Sequence, residues 1–161
     1  MKSRSLLLGA LMVLVLMMAS GPQLKAHCQI PCGIYDDELR LNLMAEHITT
    51  IEKSINQINE LSAAGDKNYN QLVRWVMNKE DHANEFMDIV TQYFLSQRIK
   101  PAVPSDGKAY EEYVLKTTLL QKMMVSAMKC KQTADLANTA KLAELLKEFR
   151  AAYLGADGHQ H

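Results

Sequence analysis

Along residues 36–64, apolar side chains fall at Leu39, Leu43, Met44, Ile48, Ile51, Ile55, Ile58 and Leu61, mostly three or four positions apart. Spacing of that kind returns to one side of a 3.6-residue helix, so the segment is predicted to be amphipathic and helical. Asp36 or Asp37 is suited to cap its start, Glu38 lies beside the positive end of the helix dipole, and Gly65-Asp66 ends it. A second helix is predicted over 68–97, with Leu72, Val73, Val76, Ala83, Phe86, Ile89, Val90, Tyr93 and Phe94 on its apolar side. Lys79-Glu80-Asp81-His82 interrupts that stripe and reads as a solvated turn, the alternative being a turn that projects toward a functional site. Pro101, Pro104 and Gly107 predict an irregular connection, because proline cannot continue a helical hydrogen-bond ladder. A third helix over 108–131 uses Tyr110, Val114, Thr117, Leu120, Met124 and Met128. A fourth over 133–154 uses Leu136, Ala140, Leu145, Phe149 and Tyr153 before Gly155. Four helices with short turns and no strand alternation predict an all-α, up-and-down four-helix bundle over 36–155, with 156–161 as a flexible polar tail.

The 161 residues suffice for one core and not for two. The first 26 follow a different rule. Lys2 and Arg4 lead into a nearly unbroken apolar run over 6–19, followed by Ser20-Gly21-Pro22 and a polar stretch to Ala26. The run is shorter than the roughly 20 residues that cross a bilayer. It reads as a removable signal peptide, an uncleaved anchor being the alternative, so export to the periplasm or beyond is expected, with no membrane attachment after cleavage. A cut after Gly21 would leave Pro22 first, a poor context for cleavage; Leu24-Lys25-Ala26 would leave His27 as the first residue. Cleavage removes Lys2, Arg4 and Lys25 from a balance of 18 basic and 18 acidic residues, leaving a formal charge of −3. With neither a basic excess nor a Lys/Arg-rich stripe, nucleic acid is excluded as a partner.

Between leader and first helix lies His27-Cys28-Gln29-Ile30-Pro31-Cys32-Gly33-Ile34-Tyr35-Asp36, which holds two of the three cysteines. It is too short and irregular to be core. In an exported protein Cys28 and Cys32 can pair as a disulfide, which stabilises little because the loop it closes is short. If His27 is the mature N-terminus, the same residues offer an amine, an imidazole, the peptide nitrogen of Cys28 and two thiolates. Two nitrogens and two sulfurs in a plane suit Ni(II) or Cu(II), while a tetrahedral site with two thiolates suits Zn(II). Spacing alone leaves the metal open.

The segment resembles the metal hook of nickel-containing superoxide dismutase, with His27, Cys28, Pro31, Cys32, Gly33, Tyr35 and Asp36 matching across ten positions. Tyr93-Phe94 and Lys100-Pro101 extend the likeness into the bundle. The resemblance implies a hook over 27–35 that holds one nickel ion per subunit. His27 would give its amine and, in the oxidised state, its imidazole; Cys28 its backbone nitrogen and thiolate; Cys32 the second thiolate. It further implies cycling between Ni(II) and Ni(III), superoxide as substrate, dioxygen and hydrogen peroxide as products, and a homohexamer in which each hook packs against neighbouring subunits. Tyr35 would stand over the open face of the metal and position water or substrate, with Tyr93 behind it. The residues alone read Tyr35 as a staple onto the first helix and Tyr93 as core.

Pro31 fixes its own φ and restricts the backbone of Ile30, which helps turn the chain back, and Gly33 gives backbone freedom beyond it. The resemblance departs from one branch of the family, whose members carry Asp at the position of Gln29 and Pro at that of Asp37. The Glu and Arg that orient the axial imidazole in the family have no clear counterpart here; Glu46 and His82 are the candidates, each also readable as solvated surface. His47 reads as surface, Cys130 as a buried inert residue, and His159 and His161 as part of a tail without preorganisation. Lys100 is a candidate for local steering of an anionic substrate. The alternative to the enzyme is an exported, non-enzymatic helical protein that binds metal or is stapled by Cys28 and Cys32.

Overall fold

A computed structural model describes residues 33–65 and 68–155. Four α-helices make up most of them: α1 (Asp37–Ala63), α2 (Tyr69–Asp88), α3 (Lys108–Gln132) and α4 (Leu136–Leu154). A π-helical segment, Ile89–Arg98, continues α2, and a short 3-10 turn, Pro104–Asp106, precedes α3. There is no strand among the described residues, and no helix there is long and apolar enough to cross a membrane.

The helix starts follow from local chemistry. Asp36 caps α1 by accepting a hydrogen bond from the Leu39 amide at 2.9 Å, and Asp37 and Glu38 occupy the first turn, where the helix dipole favours negative charge. Asp135 caps α4 in the same way, accepting from Ala137 N at 2.9 Å. Before α3, Gly107 adopts φ +58°, a conformation that an L side chain would resist, and this turns the chain from the 3-10 segment into the helix.

Each helix packs against its neighbours in sequence, and α4 closes back on α1. The pairings are antiparallel. Asp37 at the start of α1 meets Arg98 and Tyr153 at the ends of the π segment and α4, while Asn59 near the end of α1 donates to Ala134 O before α4. Lys79, midway along α2, donates to Cys130 O and Lys131 O at the end of α3. The result is the up-and-down bundle that the pattern predicts.

The core seam of α1 is Leu41, Met44, Ile48, Ile51, Ile55 and Ile58, a strict alternation of three and four. Leu39 is half exposed instead of buried, because three leucines two apart, Leu39, Leu41 and Leu43, compete for one seam and the isoleucines downstream fix its register. Corrections of the same kind apply elsewhere. Val73 and Val76 of α2, Val114 and Met128 of α3, and Leu136 of α4 are exposed, whereas Leu119, Met123, Leu142 and Leu146 are core. Buried Ser54 accepts from Asn78 at 2.9 Å and donates to Thr50 O at 2.8 Å, so a small polar residue lets α2 approach without leaving a group unsatisfied.

Lys79-Glu80-Asp81-His82 departs from its reading as a solvated turn. Lys79 is buried, and its ammonium satisfies the last carbonyls of α3 at their negative dipole end, with Glu80 3.1 Å away. At the other end of the bundle an aromatic cluster closes the core. The Phe94 ring meets Tyr93, Phe149 and Tyr153 edge to face at centroid distances of 5.1, 5.0 and 5.3 Å. Phe94 is fully buried, and Phe94→Ala is expected to lower stability by about 3–5 kcal/mol, read as a drop in the urea midpoint at unchanged m-value.

Candidate functional site

The bundle end that carries Phe94 is also where the chain arrives from the N-terminal segment. His27, Cys28, Gln29, Pro31 and Cys32 lie outside the described residues, as do the leader, His159 and His161. Gly33, bonded directly to Cys32, has φ +74°, a turn that only glycine makes without strain, and Ile34 and Tyr35 then lead into the cap of α1.

Tyr35 is partly exposed. Its ring meets that of Tyr93 edge to face at 6.0 Å, and the Arg98 guanidinium lies 4.4 Å from its centroid. The ring therefore rests on the π segment and not on α1, where its simplest reading put it. Tyr93 is nearly buried and is both core and part of the site. Its hydroxyl donates to Asp37 Oδ1 at 2.7 Å, and Arg40 lies 5.2 Å from its ring.

Asp37 gathers these groups. Arg98 donates through Nε to Oδ1 at 2.8 Å and through Nη2 to Oδ2 at 2.5 Å, and Tyr153 donates to Oδ2 at 3.0 Å. Burial alone would raise the carboxyl pKa, but the hydrogen bonds from Arg98, Tyr93 and Tyr153 outweigh it and hold the group below its ordinary value. Burial and the adjacent carboxylate push the Tyr93 hydroxyl well above its usual range and that of Tyr153 up to about 12, so both stay protonated and donating.

The π segment makes this convergence possible. Tyr93 and Arg98 are five residues apart; on an α-helix they would diverge by about 140°. With hydrogen bonds that span five residues, as from Ile99 N to Phe94 O at 2.8 Å, residues five apart return to one face, and both reach Asp37. The sequence pattern read 68–97 as one regular helix and so missed Arg98. It also missed Tyr153 as a partner and Asp37 beyond its capacity to cap. The signal available was the pair Asp36-Asp37, two adjacent carboxylates where one suffices as a cap.

Beside this network opens a cleft of about 390 Å³ lined in part by Arg98, Lys100, Tyr113, Lys116 and Tyr153. Lys100 is exposed, as its candidacy for steering requires. Glu46 is exposed on α1, but His47 and His82 are not the plain surface residues that their sequence positions suggested: both are partly buried and their rings face each other. Cys130 is fully buried, and burial pushes its thiol up to about 11, so it offers no thiolate at neutral pH.

A four-helix bundle with a polar, aromatic-walled end, preceded in sequence by a cluster of His and Cys ligand types, defines the class of a small helical metalloenzyme. A family model described as nickel-containing superoxide dismutase matches residues 22–156, and the chain belongs to that family. It is a nickel-dependent oxidoreductase that acts on superoxide, which decides between the enzyme and its non-enzymatic alternative. No curated protein and no solved structure matches the chain.

The sign of the Asp37 shift fixes a pH dependence. A carboxylate with a lowered native pKa contributes stability that is present above its ordinary value of 3.8 and is lost as pH falls through the native value. Asp37→Asn should cost about 2–3 kcal/mol at pH 7, where Arg98 is left beside a neutral amide. Urea unfolding of both proteins should show the difference intact above about pH 5 and lost only once the pH falls below 3.8 and then through the lower native value.

Proposed function

We propose that superoxide is disproportionated at a nickel ion held by His27, Cys28 and Cys32 of a mature chain that begins at His27. The observation that carries this reading is the extent of the family match, which begins at residue 22 and takes in all three residues. The thiol chemistry supports it. Cys130 is buried and protonated, so Cys28 and Cys32 are the sulfur donors left to a metal that prefers soft anionic ligands. The N-terminal amine and imidazole of His27 and the Cys28 peptide nitrogen would add nitrogen donors, giving a mixed nitrogen and sulfur set that suits Ni(II). When bound, nickel supplies one-electron redox chemistry between Ni(II) and Ni(III), so that two superoxide ions and two protons yield dioxygen and hydrogen peroxide.

The chain's own residues do the positioning. Tyr35 is three residues from Cys32, and its ring is held by Tyr93 and Arg98, which are in turn held by Asp37. We assign its hydroxyl the task of orienting water or superoxide, with Tyr93 behind it. The mature chain's formal charge of −3 repels an anionic substrate, so attraction falls to local cations such as Lys100 beside the cleft.

Two further features belong to this reading. Residues 1–26 act as an export signal whose removal creates the His27 amine. The chain assembles as a homohexamer, a state supported by the exposed stripe of Tyr69, Val73, Val76 and Met77 along α2, which leaves apolar surface for a partner subunit.

N-terminal sequencing of the mature protein should return His27, with one nickel per chain by elemental analysis. Cys28→Ser and Cys32→Ser should each abolish nickel retention and superoxide turnover, while Tyr35→Phe should keep nickel and lose part of the turnover. A different first residue, or turnover that survives either cysteine change, would overturn this assignment.

A further inference from the structure

His47 on α1 faces His82 and Glu85 on α2, three residues that stand apart from the network around Asp37. The two Nδ1 atoms are 2.9 Å apart, and Glu85 Oε2 lies 3.3 Å from the first and 3.4 Å from the second. The imidazole side chains are 13% and 28% exposed and the carboxylate 57%, so the cluster has two sheltered donors and one open edge. His82 and Glu85, three apart on α2, share a face, and the packing of α1 on α2 brings His47 to it.

Proton counting makes the arrangement unusual. If both imidazoles are neutral, a single N–H between the two Nδ1 atoms satisfies one contact and leaves the carboxylate oxygen facing a nitrogen lone pair. A cation at the centre satisfies all three contacts together. For ligand distances of about 2.0–2.1 Å, donor separations of 2.9 and 3.3–3.4 Å correspond to angles of about 90° and 110° at the ion, within the range of four- to six-coordinate transition metals.

We propose that His47, His82 and Glu85 form a second metal site for a divalent ion of the zinc class, with water on the open side. Two imidazoles and one carboxylate suit Zn(II), Ni(II) or Cu(II) and are a poor match for Mg(II) or Ca(II), which take oxygen ligands. Burial lowers the pKa of His47 against the opposing pull of Glu85 and Glu46, with His82 acting in the same direction as burial, which favours the neutral imidazole that a metal needs. Because the ligands come from two helices, the ion would staple α1 to α2.

The probe is Zn(II) titrated into the mature, nickel-loaded protein, with both metals counted. We expect one zinc per chain beyond the retained nickel, displacement of the Nδ1 nitrogen resonances of His47 and His82, and a rise in Tm of about 5–10 °C at saturating zinc. His82→Gln should weaken zinc binding about a hundredfold and Glu85→Gln about tenfold, each with an unchanged zinc-free Tm if it folds as the parent does. The Cys28→Ser, Cys32→Ser double variant should retain the zinc response, which separates this site from the nickel assignment. Zinc binding that is equal in the parent and both single variants would overturn the proposal. So would the absence of any bound zinc beyond the nickel, with nitrogen resonances that report only a proton shared between the imidazoles.

Discussion

A single carboxylate ties together three segments at the end of the bundle where the N-terminal segment joins it. Asp37 belongs to the first turn of α1, yet its four hydrogen bonds go to Tyr93 and Arg98 of the π segment and Tyr153 of α4. Taking a carboxylate largely out of water is costly unless its oxygens are satisfied. Here the donors are numerous and one of them is charged, so the network favours the ionised form and fixes four side chains at once. Tyr35 rests on two of those side chains, which means that its position is inherited from a residue it does not touch.

The π segment is the backbone counterpart of that clamp. Ten residues with hydrogen bonds across five positions are less favourable than the α-helix they interrupt. They persist because Phe94 is locked among Tyr93, Phe149 and Tyr153 on one side while Tyr93 and Arg98 are drawn to Asp37 on the other. Packing and electrostatics thus select a helical geometry that local propensity does not.

The number, type and approximate limits of the helices were legible in the spacing of Ile, Leu and Phe, because burial of one face repeats with the helix period. The seam was less legible where apolar residues exceed what one face can hold, as at Leu39, Leu41 and Leu43. Arg98 was invisible to the pattern because a change from α to π register leaves no trace in hydrophobic spacing. His47 and His82 looked like surface for a related reason: each stands in a polar stretch of its own helix, and only the pairing of α1 with α2 turns two polar positions into one cluster. The proposed ligands His27, Cys28 and Cys32 rest on the chemistry of their residue types alone, because they lie outside the described residues.

Cys130 gives the bundle a further property. Hydrogen peroxide attacks thiolates it can reach, carrying them through sulfenic acid toward forms that cannot be recovered. The Cys130 thiol is fully buried and kept in its protonated form by that burial, so it is neither ionised nor accessible. An enzyme that releases peroxide at every cycle bathes its own scaffold in an oxidant. Here the one sulfhydryl among the described residues is withdrawn from that exposure, which leaves exposed methionines such as Met77 and Met128 as the scaffold sulfur that peroxide can reach.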